Sequence, residues 1–65
     1  MKMVNDKGDA VYFNCVFKRD KIVWVIKGIG STEITGRDKQ RLKSRTFTQQ
    51  RQAESYLDRL GYRMA

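Results

Sequence analysis

The sequence predicts an α+β fold: a three-stranded antiparallel sheet packed on one C-terminal helix, in the order β-β-β-α. Three patterns carry that prediction. From Ala10 onward, Val11, Phe13, Cys15 and Phe17 alternate with Tyr12, Asn14 and Val16, the period of a half-buried strand. Between residues 37 and 45 every odd position is basic, which gathers cations on one side of an extended chain and would scatter them around a helix. Ala53, Tyr56, Leu57 and Leu60 then fall at i, i+3, i+4 and i+7, one apolar face of a helix.

Taken in order, residues 1–9 mix charge with Gly8 and keep no period, so they read as a flexible leader to a single domain over residues 10–65. The first strand starts at Ala10, rich in β-branched and aromatic residues. Residues 18–21 form a polar break, and residues 22–26 are apolar on both faces, so the pair reads as a hairpin with its second strand more central. Residues 28–36 hold three glycines with Ser31, Thr32 and Thr35, a connection with turn character. The basic run follows as the third strand and ends at Phe47. Thr48 stands where its hydroxyl could cap the helix, residues 49–60 are good helix formers, and Gly61 suits a left-handed C-terminal cap. Phe13, Phe17, Trp24, Phe47, Tyr56, Leu57 and Leu60 are the expected core.

Composition excludes more than it names. Fourteen Lys and Arg against seven Asp and Glu give +7, and residues 37–65 hold eight of those cations with three of the acids. One cysteine excludes an internal disulfide, and the absence of histidine excludes a zinc site of ordinary composition within one chain, so no metal and no cofactor is expected. Catalysis lacks its usual groups: there is no imidazole base, Cys15 is expected as a buried structural thiol, and no two carboxylates are expected to converge. No apolar stretch is long enough for a bilayer or a signal-peptide core, which points to a non-membrane protein of the reducing cytoplasm.

The basic run has a mechanism for an anionic polymer. Arg37, Lys39, Arg41, Lys43 and Arg45 on one strand would recur about every 6.6 Å over roughly 26 Å. Five phosphate contacts would give a salt slope of about −4.5 in log affinity. The run backs poorly onto a core, since Asp38, Gln40, Ser44 and Thr46 lie between its cations with only Leu42 apolar, so an edge strand or projecting arm is expected. Charge on an edge strand also serves simply to prevent edge-to-edge aggregation. If the odd residues of the first strand and the even residues of the second face the helix, Tyr12, Asn14, Val16, Val23 and Val25 lie on the open face. Wet valines there suggest a partner: a second copy, or the floor of a sheet that enters a nucleic-acid groove.

One family shares this order of features. Trp24, the run Thr35, Gly36, Arg37, Asp38 and Lys39, then Arg45, Thr46, Phe47 and Thr48, and finally Ala53 and Glu54, resemble the arm-site DNA-binding domain of phage and transposon tyrosine recombinases. The resemblance covers about two thirds of the chain, with a longer connection over residues 28–36. It implies a three-stranded sheet backed by a helix, with the open face in the major groove and with Tyr12, Asn14, Lys27, Arg37, Lys39, Arg41 and Lys43 near DNA. No catalytic recombinase domain follows, so it implies a free-standing phage or prophage regulator.

The expected function is therefore non-enzymatic nucleic-acid binding, double-stranded DNA before RNA, through the basic third strand and the open sheet face. The expected contact residues are Arg37, Lys39, Arg41, Lys43, Arg45, Tyr12, Asn14 and Lys27. The alternative is a protein-interaction module, either docking on an acidic host protein or forming a homodimer through the open face.

Overall fold

A computed structural model describes residues 1–36, 38 and 40–65. The chain is α+β, with its antiparallel sheet on one side of a single helix, but the sheet has five strands instead of three. The elements are β1 (Lys2–Val4), β2 (Ala10–Lys18), β3 (Lys21–Gly28), β4 (Ile34–Thr35), β5 (Arg41–Leu42), β6 (Ser44–Phe47), α1 (Gln50–Arg59) and β7 (Arg63–Met64). The main sheet runs β6-β3-β2-β1-β7, and β4 with β5 forms a separate small hairpin. The strands β2, β3 and β6 with α1 are the expected β-β-β-α; β1 and β7 are the additions.

The hairpin of β2 and β3 is the frame. Its register runs from Val11 opposite Gly28 to Lys18 opposite Lys21, around a two-residue loop whose first residue, Arg19, has φ 54°. Directly opposed residues share a face, so Val11, Phe13, Cys15, Phe17, Ile22, Trp24 and Ile26 lie on the helix side and Tyr12, Asn14, Val16, Val23 and Val25 on the open side, as the alternation predicts. The core gathers Val11, Ile26, Ile34, Phe47, Ala53, Tyr56, Leu57 and Tyr62, with Met3, Phe13 and Trp24 packed against it.

Two expected core residues lie outside. Phe17 is 77% exposed and Leu60 is also exposed. Cys15, expected buried, is exposed too. The cause is length: ten helical residues extend about 15 Å, whereas nine strand residues extend about 30 Å, so the helix covers only the inner half of the hairpin. The tip overhangs. On the open face Val16 is exposed as expected, whereas Val23 is only 6% exposed and Val25 half-buried, a correction to the expected wet surface. Val16 stands directly opposite Val23, and β-branched side chains side by side on one face shield each other.

The supposed leader is partly sheet. β1 pairs with β2 through Lys2 opposite Tyr12, Met3 opposite Val11 and Val4 opposite Ala10, and β7 closes the other side of β1. Asn5 makes this possible, as the single buried polar residue among those described. Its Oδ1 accepts from the backbone N–H groups of Lys7 and Asp9, both at 3.0 Å, which folds the turn. Its Nδ2 donates to Asp9 Oδ2 at 3.3 Å and to the Leu60 carbonyl at 3.4 Å, one of the carbonyls left without a partner at a helix end. One side chain thus ties the first turn to the end of α1.

The helix, expected over residues 49–60, is one residue shorter at each end, and the expected cap glycine holds. Thr48 is not its cap: Gln49 holds that position with extended φ and ψ and no side-chain bond, and its carbonyl accepts from Ala53 N–H. At the other end Gly61 has φ 76°, its N–H donates to Asp58 O, and Tyr62 N–H donates to Leu57 O, the paired bonds of a Schellman cap. Tyr62 and Leu57, the two residues that flank such a cap, are both buried in the core. Burial first, then the Asp9 carboxylate and Tyr56, push the Tyr62 hydroxyl above its ordinary value of 10.0. The native state therefore prefers the neutral phenol, a contribution complete below that value and lost as pH rises through the higher native one.

Asn5→Ala is expected to cost about 1–3 kcal/mol, because it strands two part-buried backbone donors and a helix-end carbonyl at once. Urea denaturation checks this. An unchanged midpoint would mean that the Asn5 bonds add nothing over water.

Candidate nucleic-acid interface

The basic run is not one strand, and its described cations do not share a face. After β4 the chain reverses, with Gly36 N–H donating to Gln40 O at 2.7 Å and Asp38 at φ 58°, and returns as β5, where Arg41 stands opposite Thr35. At Lys43 it bends, and only then does β6 join the main sheet against β3. The expected third strand is thus two short strands in two different sheets, because Gly36 supports a hairpin that the alternation of charge conceals. Arg37 and Lys39 lie outside the described residues. Arg41 is exposed, with Nη1 at 3.8 Å from Glu33 Oε1, a long surface pair of little energetic weight. Lys43 is exposed at the bend, and its carbonyl accepts from Gly28 N–H at 2.8 Å.

Arg45 has a structural role. It stands opposite Ile26 on the helix side of β6, half-buried. Its guanidinium carbon lies 4.6 Å from the centre of the Phe47 ring and 5.5 Å from that of Tyr56, within cation–π reach of both. Its Nη1 donates to the Thr35 carbonyl at 3.3 Å, while Thr35 N–H donates to the Tyr56 hydroxyl at 3.0 Å. Both backbone groups of Thr35 are thereby used to dock the small hairpin, the N–H on the helix and the carbonyl on β6.

The remaining expected residues do converge. Tyr12 on β2 stands opposite Lys2 on β1 and Lys27 on β3, and Lys27 stands opposite Ser44 on β6, a row across four strands of the open face. Tyr12 is 46% exposed. In the next row Asn14 stands opposite Val25, and Val25 opposite Thr46; the N-terminal ammonium donates to Asn14 Oδ1 at 3.2 Å. Beyond the Val16 and Val23 pair, Lys18 and Lys21 close the hairpin on this same face. Arg63 joins the face on β7, opposite Val4, and is paired with Asp6 at 2.8 Å. None of the strand residues on this face is acidic.

Lys2, Lys18 and Lys21 are thus cations of this face that the expected set leaves out. Their signal was available: Lys18 has the parity of Tyr12, and Lys21 that of Val23. Lys2 had none, because a three-residue strand shows no period. Chemically the face offers dispersed ammonium groups, a half-exposed phenol and an amide, which can neutralise phosphates and meet base edges. Among the described residues no three His, Cys, Asp or Glu side chains are grouped to hold a metal, and no helix is long and apolar enough to cross a membrane. Comparisons with family models, curated proteins and solved structures give no match.

Arg45→Ala is expected to destabilise the fold by about 1–2 kcal/mol through loss of the ring contacts and the Thr35 bond. Arg45→Lys should fall between, since an ammonium lacks the planar stacking surface. A midpoint unchanged from the parent in both variants would show Arg45 to be free of the joint.

Proposed function

We propose that this chain is a non-catalytic nucleic-acid-binding protein of the cytoplasm that takes double-stranded DNA on the open face of its sheet. The observation that carries the reading is a face with four lysines, Lys2, Lys18, Lys21 and Lys27, that have no acidic partner among the described residues, and no acidic strand residue, on a chain of net charge +7. Its layout suits a groove. From Lys27 to Lys21 is about 20 Å along β3, so cations stand at both ends of a centre made of Asn14, Val16 and Val25. The ends would meet the two phosphate backbones, and the centre would face base edges. An asparagine can bond adenine through both its amide groups, and an apolar side chain can contact the thymine methyl. Tyr12 is flanked on both sides by lysine, which fits phosphate contact through its hydroxyl.

This reading moves the interface from the basic run to the hairpin frame. It keeps Tyr12, Asn14 and Lys27, adds Lys2, Lys18 and Lys21, and gives Arg45 to the fold. Arg41 and Lys43 border the site at most, because β4 and β5 are docked on the helix side through Ile34 and Thr35. The likeness to recombinase arm-site domains supports the same mode of binding, as does the order β2, β3, β6, α1 within the larger sheet. A role as a small phage or prophage regulator belongs to that proposal. A second reading, an acidic protein partner, is favoured by one observation, the uncovered outer part of the hairpin.

Binding to a mixed-sequence duplex over a salt series tests the assignment. Four phosphate contacts predict a slope of about −3.6 in log affinity against log salt. Lys27→Ala should flatten it by about 0.9, and Lys18→Ala with Lys21→Ala by about 1.8. Arg41→Ala should leave it within error. The reverse ranking, with Arg41 dominant and the hairpin lysines silent, would return the site to the basic run.

A further inference from the structure

Besides the outer sides of its edge strands β6 and β7, the main sheet leaves part of β2 without a partner. On the β1 side, β2 is paired through Val11 and Tyr12, and Phe13 N–H donates to Met1 O at 2.8 Å. No strand follows on that side among the described residues, although β2 continues to Lys18. Backbone groups alternate between the two sides of a strand. Because Phe13 points to the β1 side, so do the N–H and C=O groups of Cys15 and Phe17, two donors and two acceptors in line. Their side chains are exposed as well, Phe17 at 77%. On the opposite edge of the hairpin only Ile22 is comparably free, since Trp24 is already opposite Phe47. The β2 edge is the longer template.

Native sheets protect such an edge with proline, a bulge or charge. There is no proline in the chain, and the register of β2 with β3 runs without interruption. The protection here is positive charge alone. The N-terminal ammonium and Lys2 stand at one end of the edge, and Lys18, Arg19 and Lys21 at the other. Asp20 is the only acidic residue between positions 10 and 32. Charge of one sign repels a second copy, which carries +7 of its own, and attracts a strand of opposite sign.

We propose that the free edge of β2 at residues 14–18 is a docking site for an extended acidic segment of another protein, which adds as a strand beside Cys15 and Phe17. Backbone bonds to those two residues supply the register. Strand addition reads alternate side chains of the incoming segment, so apolar residues on one face of it cover Phe17 and Cys15 while acidic residues reach Lys18. The site lies on the edge of the sheet, distinct from the open face, and shares the hairpin-tip cations with it.

Amide hydrogen exchange of the full chain tests this, with an acetylated heptapeptide of alternating glutamate and valine as the probe and its lysine and valine counterpart as control. The acidic peptide should slow exchange at Cys15 and Phe17 about tenfold or more, with Val11 and Ile26 unchanged. Phe17→Glu, which keeps the backbone and places a charge of the peptide's own sign at an exposed position, should weaken binding about tenfold. Phe17→Pro, which removes one outward donor at an edge position that tolerates proline, should do the same with the far-ultraviolet spectrum preserved. Unchanged exchange at both amides with saturating peptide would overturn the proposal, as would equal slowing by the lysine peptide. Slowing that grows with protein concentration in the absence of peptide would assign the edge to a second copy instead, and slowing by a DNA duplex would assign it to nucleic acid.

Discussion

The joint between Arg45, Phe47, Tyr56 and Thr35 decides how the rest of the molecule presents its charge. Phe47 and Tyr56 pack with ring centres 5.7 Å apart and planes at 45°, fixing β6 to the helix. Since Phe47 must face inward, the residue two before it must as well. Arg45 is therefore directed to the helix side, where aromatic faces and a backbone carbonyl accept its charge. The same bonds hold the β4 and β5 hairpin against Tyr56, so Arg41 stands apart from the main sheet. With Arg45 committed and Arg41 displaced in this way, the lysines of β1, β2 and β3 stand as the unneutralised charge described on the open face.

Much of this was legible in the sequence. The hairpin of β2 and β3, the parity of both faces, the order of the three central strands and helix, and the cap at Gly61 all follow from local patterns of period, propensity and φ. The parity error at the basic run was avoidable, because Phe47 and Arg45 share a face, and an inward Phe47 contradicts an outward Arg45. The short strands were beyond reach. β1 and β7 have three and two residues with no sustained period, and they form only because Asn5 folds the turn and bonds the end of the helix. Exposure of Phe17 and Cys15 was also hidden, since it depends on the helix being shorter than the strands it covers, a relation between elements that no single pattern carries.

The two surfaces have different physics. The open face is a two-dimensional array of ammonium groups around a polar and apolar centre, suited to a rigid polyanion whose charges are spaced along two backbones. The β2 edge is one-dimensional, offering directed backbone bonds beside apolar side chains. Both use the same cations at the hairpin tip, Lys18 and Lys21, so the loop at Arg19 and Asp20 is where nucleic acid and an acidic partner would influence each other.

Lysine footprinting tests the central claim, that the open face and not the basic run meets the polyanion. Acetylation of the folded chain with and without a saturating duplex, followed site by site by mass spectrometry, requires no substitution. Lys2, Lys18, Lys21 and Lys27 are expected to be protected, and Lys43 to react as before. Protection of Lys43 with full reactivity at Lys2 and Lys27 would contradict the account and place the interface on the basic run.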